Sequence, residues 1–325
     1  MTVVRAPDHM PDGTILRSGA VSLGPVGSVV SWGGTILKNH FIRAAQRLTY
    51  ITRRPDEKRF DFERRHRSPF KRPPLQQVMM LDDIKVMYLP IGKNACSSTK
   101  RAMALLGGLS LDQSEDIHRT LDDQNTGLIF ANRDDDDIRE ALLETDWMRF
   151  AIIRDPLERL VSAYVEKFVV NRLSRDVRIT CDPVLMRTLK LGWLREQDYE
   201  RGISFRVFAS DIMAHPPNLL DPHWRPQSQL MKDYPSTHIY HIDDLDILSR
   251  DLEAHIGRPV QIPRSNVSRF SGQCDTDAGS AADSLPGDLE SPQHLSVSRF
   301  FDDTLRRQVL AYHAEDLELI ARSGH

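Results

Sequence analysis

From residue 84 onward, short apolar runs alternate with helical patterns. Residues 84–89 (IKVMYL) and 149–154 (RFAIIR) are short and largely apolar, which favours buried strands, and residues 238–242 favour another strand. A turn and a helical pattern over residues 98–106 follow the first run, and Pro156 opens a helix that continues to about residue 170. Strands that alternate with helices predict an α/β fold with a central, mainly parallel sheet flanked by helices.

Other periodic segments predict further helices. They cover residues 203–214 and 246–255, and a long closing helix covers residues 302–321. The acidic run from Asp134 to Asp137 is expected at the start of a helix, where carboxylates complement the helix dipole, and not in a metal site.

The pattern divides the chain into two parts. Residues 1–78 show no clean periodicity and form an irregular N-terminal lead-in, whereas residues 79–325 form the main domain, with an exposed loop at about 271–291. The lead-in carries a basic segment at residues 53–72. This segment is either a solvated stretch or a basic lip that captures an anionic substrate, and the sequence leaves both interpretations open.

The charge balance and the cysteines limit the classes of function. The 325 residues include 43 Lys and Arg and 46 Asp and Glu, a net charge of −3, so we expect no coating of nucleic acid and look for local positive charge instead. Three scattered cysteines without a CxxC pair predict no disulfide framework, no structural zinc and a cytoplasmic compartment. We expect no transmembrane segment, because the apolar stretch at residues 19–37 is broken by glycines and a proline, although peripheral membrane contact stays possible.

The segment LPIGKNACSSTKR, at residues 89–101, predicts an anion site. A loop of small residues between a strand and a helix exposes backbone N–H groups at the helix N-terminus. Lys93 adds an ammonium group, and Ser97, Ser98 and Thr99 add hydroxyl donors. The alternative is an ordinary turn that holds a lysine. The spacing is not that of a Walker A loop, and Cys96 is interpreted as a small buried thiol rather than a nucleophile.

The segment RFAIIRDPLERLVSAYVEKF, at residues 149–168, predicts a second anion site. Arg154 ends a strand and Ser162 follows eight residues later in the next helix, and ligands in open α/β sheets bind beyond the carboxyl ends of strands. A guanidinium with a hydroxyl forms a phosphate cradle, and an arginine at this position favours a phosphate held without metal. We expect Asp155 and Glu158 to cap the helix, and leave open whether Arg159 forms an exterior salt bridge.

Together these segments resemble the carbohydrate sulfotransferase family that includes the chondroitin and dermatan enzymes (sulfotransferase family 2). KNACSSTKR resembles the 5′-phosphosulfate loop of that family, and RDPLERLVSAY resembles its 3′-phosphate motif. The resemblance covers roughly residues 80–322 and includes DPHWRPQSQL and PRSNVS. The chain departs from the family in lacking a membrane anchor and paired cysteines, and in a loop that ends in Ser-Ser-Thr where Thr-Asn-Trp is usual. These departures favour a soluble, bacterial-like member.

The resemblance implies a P-loop-like three-layer fold and a reaction. A sulfuryl group would pass from 3′-phosphoadenosine 5′-phosphosulfate, without metal, to a hydroxyl of an acceptor that is a carbohydrate in this family. Lys93 would stabilise the leaving group, Arg154 and Ser162 would hold the 3′-phosphate, and Asn266 and Ser268 would close over the nucleotide. The 5′ side would be held by Asn94, Ala95, Cys96, Ser97, Ser98 and Thr99.

A histidine is expected to act as the base that takes the acceptor proton. His118, in SEDIHRTLDD, resembles the histidine of the family in the same interval, and His223 is the alternative base. His223 is otherwise expected to line the acceptor cleft with Trp224, Arg225 and Gln227, and Trp224 is either a platform for a sugar or a core residue.

Two other functions compete with sulfuryl transfer. A kinase-like phosphotransferase that uses Mg-ATP is disfavoured by the missing Walker A spacing and by Arg154 at the end of the second strand. A glycan-binding module without catalysis is disfavoured because Lys93, His118, Arg154 and Ser162 are all present. The sequence does not identify the acceptor or the oligomeric state.

Overall fold

The computed structural model of the chain describes residues 68–112, 116–123, 126–262, 280–289 and 295–323. All of them belong to one compact unit of the chain. The predictions for Asn266 and Ser268, for residues 53–67 of the basic segment, and for residues 271–279 of the exposed loop concern positions outside the described residues. The boundary at residue 78 therefore stays a prediction.

The described strands form one four-stranded sheet. They are β1 (Met79–Leu81), β2 (Val86–Leu89), β3 (Met148–Ile153) and β4 (His238–His241), in that order across the sheet. β1 pairs with β2 antiparallel, whereas β2 with β3 and β3 with β4 are parallel. The mainly parallel sheet is thus confirmed. β2 begins later than predicted, because residues Asp82–Ile84 form a 3₁₀ turn and Lys85 adopts a left-handed backbone (φ 50°) that reverses the chain.

The helices follow the strands in the predicted alternation. They are α1 (Cys96–Leu106), α2 (Ile117–Asp123), α3 (Asp135–Leu143), α4 (Pro156–Tyr164), α5 (Arg175–Leu189), α6 (Glu196–Arg201), α7 (Phe205–Met213), α8 (Gln227–Met231), α9 (Leu245–Ile256), α10 (Asp303–Tyr312) and α11 (Ala314–Ser323). A π-helical segment, Val165–Val170, continues α4. Short 3₁₀ turns lie at Pro69–Lys71, Leu75–Gln77, Asp82–Ile84, Phe130–Asn132, Pro217–Leu219, Ile242–Asp244, Pro286–Asp288 and Val297–Phe300. Within the described residues, no helix has the length and apolar character needed to cross a bilayer.

Most predicted helices are confirmed with ends that shift by one or two residues. The acidic run starts α3 as expected, because the Asp134 side chain accepts a hydrogen bond from the Asp136 N–H over 2.9 Å. The prediction of one long closing helix is wrong. That segment breaks at His313, whose Nδ1 lies 3.0 Å from Asp316 Oδ2 inside the protein.

Successive strand residues point to opposite faces, and helices cover both. One face carries Tyr88, Phe150 and Tyr240 and packs against α1, α2 and α9. The other face carries Leu89 and Ala151 and packs against α3, α8 and α11. This arrangement confirms the three-layer fold.

A further buried cluster lies away from the sheet, among α4, α5, α7 and α10, and is rich in aromatic side chains. Its largest members are Tyr164, Phe168, Phe205, Phe208, Trp224 and Phe300. The cluster fixes α4 and its π-helical continuation, and those two elements carry charged residues of the candidate site described next.

Candidate active site

The loop between β2 and α1 has the features of an anion site. Lys93 (φ 73°) and Ala95 (φ 54°) both adopt the left-handed backbone that non-glycine residues rarely adopt, and such conformations concentrate at functional sites. The first hydrogen bond into α1 runs from the Thr99 N–H to the Ala95 carbonyl over 3.0 Å. The N–H groups of Cys96 and Ser97 precede that bond, so they face outward at the positive end of the helix dipole.

Arg154 follows β3 at the same edge of the sheet. Its backbone is held on both sides by Gln227, which accepts from the Arg154 N–H over 3.0 Å and donates to the Arg154 carbonyl over 2.8 Å. The guanidinium donates from Nη1 to the Lys93 carbonyl over 3.3 Å and from Nε to Glu158 over 3.0 Å. The structure therefore brings together the two anion sites that the sequence predicts separately.

The Lys93 ammonium donates to the carboxylate of Glu166, which lies in the π-helical segment. Burial lowers the pKa of Lys93, although Glu166 opposes the change. Burial alone would raise the pKa of Glu166, but the Lys93 and Lys167 ammonium groups outweigh it and hold that pKa below its ordinary value. Sequence reasoning missed Glu166, because only the wider turn of the π-helix sets which residue faces the loop.

His118, on α2, contacts the same loop. Its Nε2 lies 2.9 Å from Ser97 Oγ, and its Nδ1 lies 3.3 Å from the Lys100 ammonium. Lys100 also donates to Gln77 Oε1 over 2.7 Å. A lysine ammonium has no acceptor, so the Nδ1 of His118 accepts here and its Nε2 carries the proton toward Ser97. The structure thus places the predicted histidine at the anion loop, together with Lys100, which the sequence analysis did not single out.

Several predicted ligands in the loop are buried. The side chains of Asn94, Ser98 and Thr99 are almost fully enclosed, and the roles of Ser98 and Thr99 as hydroxyl donors to an anion stay predictions. Asn94 instead donates to the Ile152 carbonyl over 2.8 Å and to Gln227 over 2.6 Å. Asn94 thereby ties the loop to β3, and the half-buried Ser97 is the most exposed of the three predicted hydroxyl donors.

Cys96 is interpreted as a small buried thiol rather than a nucleophile, and the structure leaves the residue partly exposed. Burial raises the pKa of the thiol, and a nucleophilic cysteine needs that pKa lowered. Ser162 lies on α4 with 7% of its surface exposed, and its role at a 3′-phosphate stays a prediction.

The first turn of α4 is capped as expected. Asp155 accepts from the N–H groups of Leu157 and Glu158 over 2.9 and 3.1 Å. Glu158 also pairs with Arg154, so capping describes only part of its role.

Arg159 is a buried clamp, and the interpretation as an exterior salt bridge is wrong. Only 2% of its surface is exposed. It donates to the carbonyls of Gly92, Arg225 and Pro222 over 3.1, 2.8 and 2.7 Å, and burial lowers its pKa to about 10. One guanidinium thereby ties the anion loop to residues 222–225.

The four residues predicted to line the acceptor cleft differ in how deeply they are buried. Trp224 is 1% exposed and packs on Phe168 and Phe208, so the sugar-platform interpretation gives way to core packing. Gln227 is fully buried and positions Arg154 and Asn94, as described above. Arg225 donates back to the Leu220 carbonyl over 2.6 Å. The half-buried His223 lies against the loop, since a Cβ placed on Gly92 would be 3.2 Å from its Cδ2.

The chain is similar to known proteins over the region that contains these features. A model of the Sulfotransferase family matches residues 76–320. Carbohydrate sulfotransferase 14 from Homo sapiens is 28% identical over 152 residues, which are 47% of this chain and 38% of that protein. Carbohydrate sulfotransferase 8 from Homo sapiens is 25% identical over 164 residues, which are 48% of this chain and 36% of that protein.

A third relative, Carbohydrate sulfotransferase 10 from Homo sapiens, is 28% identical over 137 residues, which are 41% of this chain and 37% of that protein. The chain thus spans less than two fifths of the length of these curated relatives. No solved structure shows a significant match.

Proposed function

This chain belongs to the Sulfotransferase family, and we propose that it transfers a sulfuryl group from 3′-phosphoadenosine 5′-phosphosulfate to a hydroxyl group of a carbohydrate. The contact between Arg154 Nη1 and the Lys93 carbonyl, over 3.3 Å, carries this proposal. A donor with phosphate groups on two sides of its ribose needs two cationic groups side by side at one sheet edge. The names of the similar proteins support a carbohydrate as acceptor.

The proposed reaction is an in-line displacement at sulfur. The bond between sulfur and the bridging phosphate oxygen breaks, a bond between sulfur and the acceptor oxygen forms, and the acceptor proton passes to a base. Negative charge builds on the bridging oxygen, so an ammonium group there stabilises the transition state more than the ground state. Lys93 is assigned this role because it lies in the loop that ends in the exposed N–H groups of α1.

The site already holds carboxylates next to both cationic groups. Glu166 pairs with Lys93, and Glu158 pairs with Arg154. Binding of the donor would exchange these carboxylates for phosphate oxygens, which are stronger partners because they carry more charge and more acceptor atoms. The exchange would deliver Lys93 to the bridging oxygen only when the donor is present.

A titration calorimetry experiment with 3′-phosphoadenosine 5′-phosphate, in buffer with a chelator, tests the proposal. We expect tight binding without magnesium, and we expect Arg154→Ala to weaken it about 10- to 100-fold, since a charged hydrogen-bonding partner of the phosphate is lost. Arg178→Ala is the matched control, because Arg178 pairs with Glu196 on the surface.

Three results would contradict the proposal. Unchanged nucleotide affinity in Arg154→Ala would remove this residue from the donor site. Phosphorylation of an acceptor that requires Mg-ATP, together with no binding of the 3′-phosphorylated nucleotide, would favour a kinase-like phosphotransferase instead. Binding of glycan with no transfer from the donor would favour a glycan-binding module.

A further inference from the structure

His223 forms a close pair with an acidic residue at the edge of the candidate site. Its Nδ1 lies 2.6 Å from Asp221 Oδ1, and its backbone N–H donates to the same oxygen over 2.9 Å. A carboxylate only accepts, so the proton of the neutral ring lies on Nδ1 and the lone pair lies on Nε2. The His223 side chain is 33% exposed, so this lone pair belongs to a ring that solvent and a ligand can reach.

The ring of His223 lies against the loop that carries Lys93. A Cβ placed on Gly92, the residue before Lys93, would lie 3.2 Å from His223 Cδ2, the ring carbon bonded to Nε2. A side chain at Gly92 would therefore press against the ring, which would have to move by a few tenths of an ångström. The basic edge of the ring is therefore next to the segment that presents the lysine.

Arg159 fixes this proximity from inside the protein. It donates to the Gly92 carbonyl on one side, and to the Pro222 and Arg225 carbonyls on the other. Pro222 directly precedes His223, so a buried and rigid fork of donors sets the spacing between the two loops.

His118 has a different environment. Its Nδ1 accepts from Lys100, and its Nε2 carries the proton that faces Ser97. In this arrangement both ring nitrogens are engaged with residues of α1 and neither offers a lone pair to an acceptor hydroxyl. The geometry suits a residue that orients Ser97 at the anion loop.

We propose that His223 is the base that takes the proton of the acceptor hydroxyl, that Asp221 and Arg159 position it, and that His118 orients Ser97. In the step, Nε2 of His223 gains the proton as the acceptor oxygen bonds to sulfur, and the electron pair of the broken bond stays on the bridging oxygen of the donor. The imidazolium that forms is stabilised by the Asp221 carboxylate. This inference rests on the proposed sulfuryl transfer.

The ring protonation states test the assignment without knowledge of the acceptor. Long-range proton–nitrogen NMR of histidine-labelled protein, assigned with His223→Asn and His118→Asn, should show the neutral His223 ring protonated on Nδ1 and the neutral His118 ring protonated on Nε2. Asp221→Asn should shift the proton of His223 toward Nε2, an effect that a merely structural role of Asp221 would not produce. A proton on Nε2 of His223 in the wild-type protein would overturn the assignment.

Turnover provides the second readout, with radiolabelled donor and a panel of desulfated glycans as acceptors. His223→Asn keeps a donor for Asp221 but removes the base, so kcat should fall about 100- to 10,000-fold while affinity for 3′-phosphoadenosine 5′-phosphate stays within about twofold. His118→Asn should instead weaken nucleotide binding. A kcat near that of the wild type in His223→Asn, with a large loss in His118→Asn, would assign the base to His118.

Different results would contradict the proposed sulfuryl transfer and the assignment of His223 as the base. If the wild-type protein does not bind the nucleotide, the proposed function is wrong, whatever the histidine protonation states are. If the nucleotide binds and the protonation states of the two histidines are the reverse of those expected, only the assignment of His223 is wrong.

Discussion

The charged residues of the candidate site are arranged as opposed pairs before any ligand binds. Lys93 contacts Glu166, and Arg154 contacts Glu158. If Lys93 and Arg154 bind the proposed donor, these carboxylates would compete with its phosphate groups for the same cationic side chains. The ion pairs offset the free-energy cost of desolvating two positive charges that lie close together in a partly buried cleft.

Removal of the carboxylate at Glu166 should strengthen nucleotide binding. Glu166→Gln frees the Lys93 ammonium and removes repulsion of the phosphate, so affinity for 3′-phosphoadenosine 5′-phosphate should rise about threefold to tenfold. Titration calorimetry measures the change, with Glu196→Gln as a surface control. Weaker binding in Glu166→Gln would show that the carboxylate helps to hold Lys93 in a competent position.

The buried clamp at Arg159 should be sensitive even to a change that keeps its charge. A lysine cannot reproduce three donors in a planar fork, so Arg159→Lys leaves carbonyl groups unsatisfied and should lower the free energy of unfolding by about 2–4 kcal/mol. Denaturant unfolding measures this. Arg225→Lys is the matched control on the same segment and should change stability much less, because the hydrogen bonds described for the Arg225 guanidinium go to one carbonyl, that of Leu220. Equal effects of the two substitutions would contradict the clamp.

At the scale of elements, a buried network links the break between α10 and α11 to the end of β3. Asp316 accepts from the backbone N–H groups of Gln227 and Ser228 over 3.0 and 2.8 Å, and pairs with His313. The Gln227 side chain in turn hydrogen-bonds to both the N–H and the carbonyl of Arg154. The closing helices therefore help to fix the strand end that presents the guanidinium.

Asp316→Asn should destabilise the protein by about 3 kcal/mol at neutral pH, because a neutral amide is a weaker acceptor than a carboxylate for the His313 ring and for two buried backbone N–H groups. Denaturant unfolding measures the loss. Glu315→Gln is the neighbouring control and should change little, since its contact with Gln229 is exposed. A loss in Asp316→Asn no larger than in the control would contradict the role of the network.

The same network makes the stability of the protein depend on pH. Burial would raise the pKa of Asp316, but His313 and the bonded N–H groups outweigh it and hold that pKa below its ordinary value of 3.8. A carboxylate with a lowered folded pKa stabilises fully above its unfolded pKa and loses that contribution as the pH falls through the folded value. The stability difference between wild type and Asp316→Asn should therefore be constant above about pH 5 and shrink below pH 4. A difference that grows on acidification would contradict the shift.

The sequence pattern predicted those strands and helices that are determined by neighbouring residues, through apolar runs and helix caps. The parallel strands β2, β3 and β4, the helix that opens at Pro156, and the capping by Asp155 all follow from such features. The π-helix that aims Glu166, the burial of Arg159 and the bonds of Asp316 to Gln227, beside the break at His313, depend on partners distant in the chain. Arg159 bonds to Pro222, 63 residues away, and no local pattern contains that information.

At the scale of the whole molecule, a net charge of −3 hides a local concentration of cationic groups. Lys93, Lys100 and Arg154 lie around one helix N-terminus, and each is matched by a carboxylate, an amide or a histidine. The cytoplasmic compartment and the absence of a nucleic-acid partner stay predictions. The charge arrangement favours a small anion over a polymer with many phosphates.

Ligand binding should stabilise the folded chain as a whole. At a concentration of 3′-phosphoadenosine 5′-phosphate about 100 times its Kd, linkage predicts about 2.7 kcal/mol of added stability. Thermal unfolding should therefore shift upward by several degrees, equally with a chelator and with magnesium. A shift that appears only with magnesium would contradict the metal-independent site.

The proposed transfer is tested most directly by following the sulfuryl group from the donor to a glycan. Radiolabelled 3′-phosphoadenosine 5′-phosphosulfate is incubated with the protein, a chelator and a panel of desulfated glycans, and the labelled products are separated. With the wild-type protein we expect label in a glycan. With Lys93→Met, which keeps the side-chain bulk without the charge, we expect the rate of transfer to fall about 100-fold or more. Label that stays in the donor with every glycan, or equal rates in the wild type and Lys93→Met, would contradict the proposed transfer.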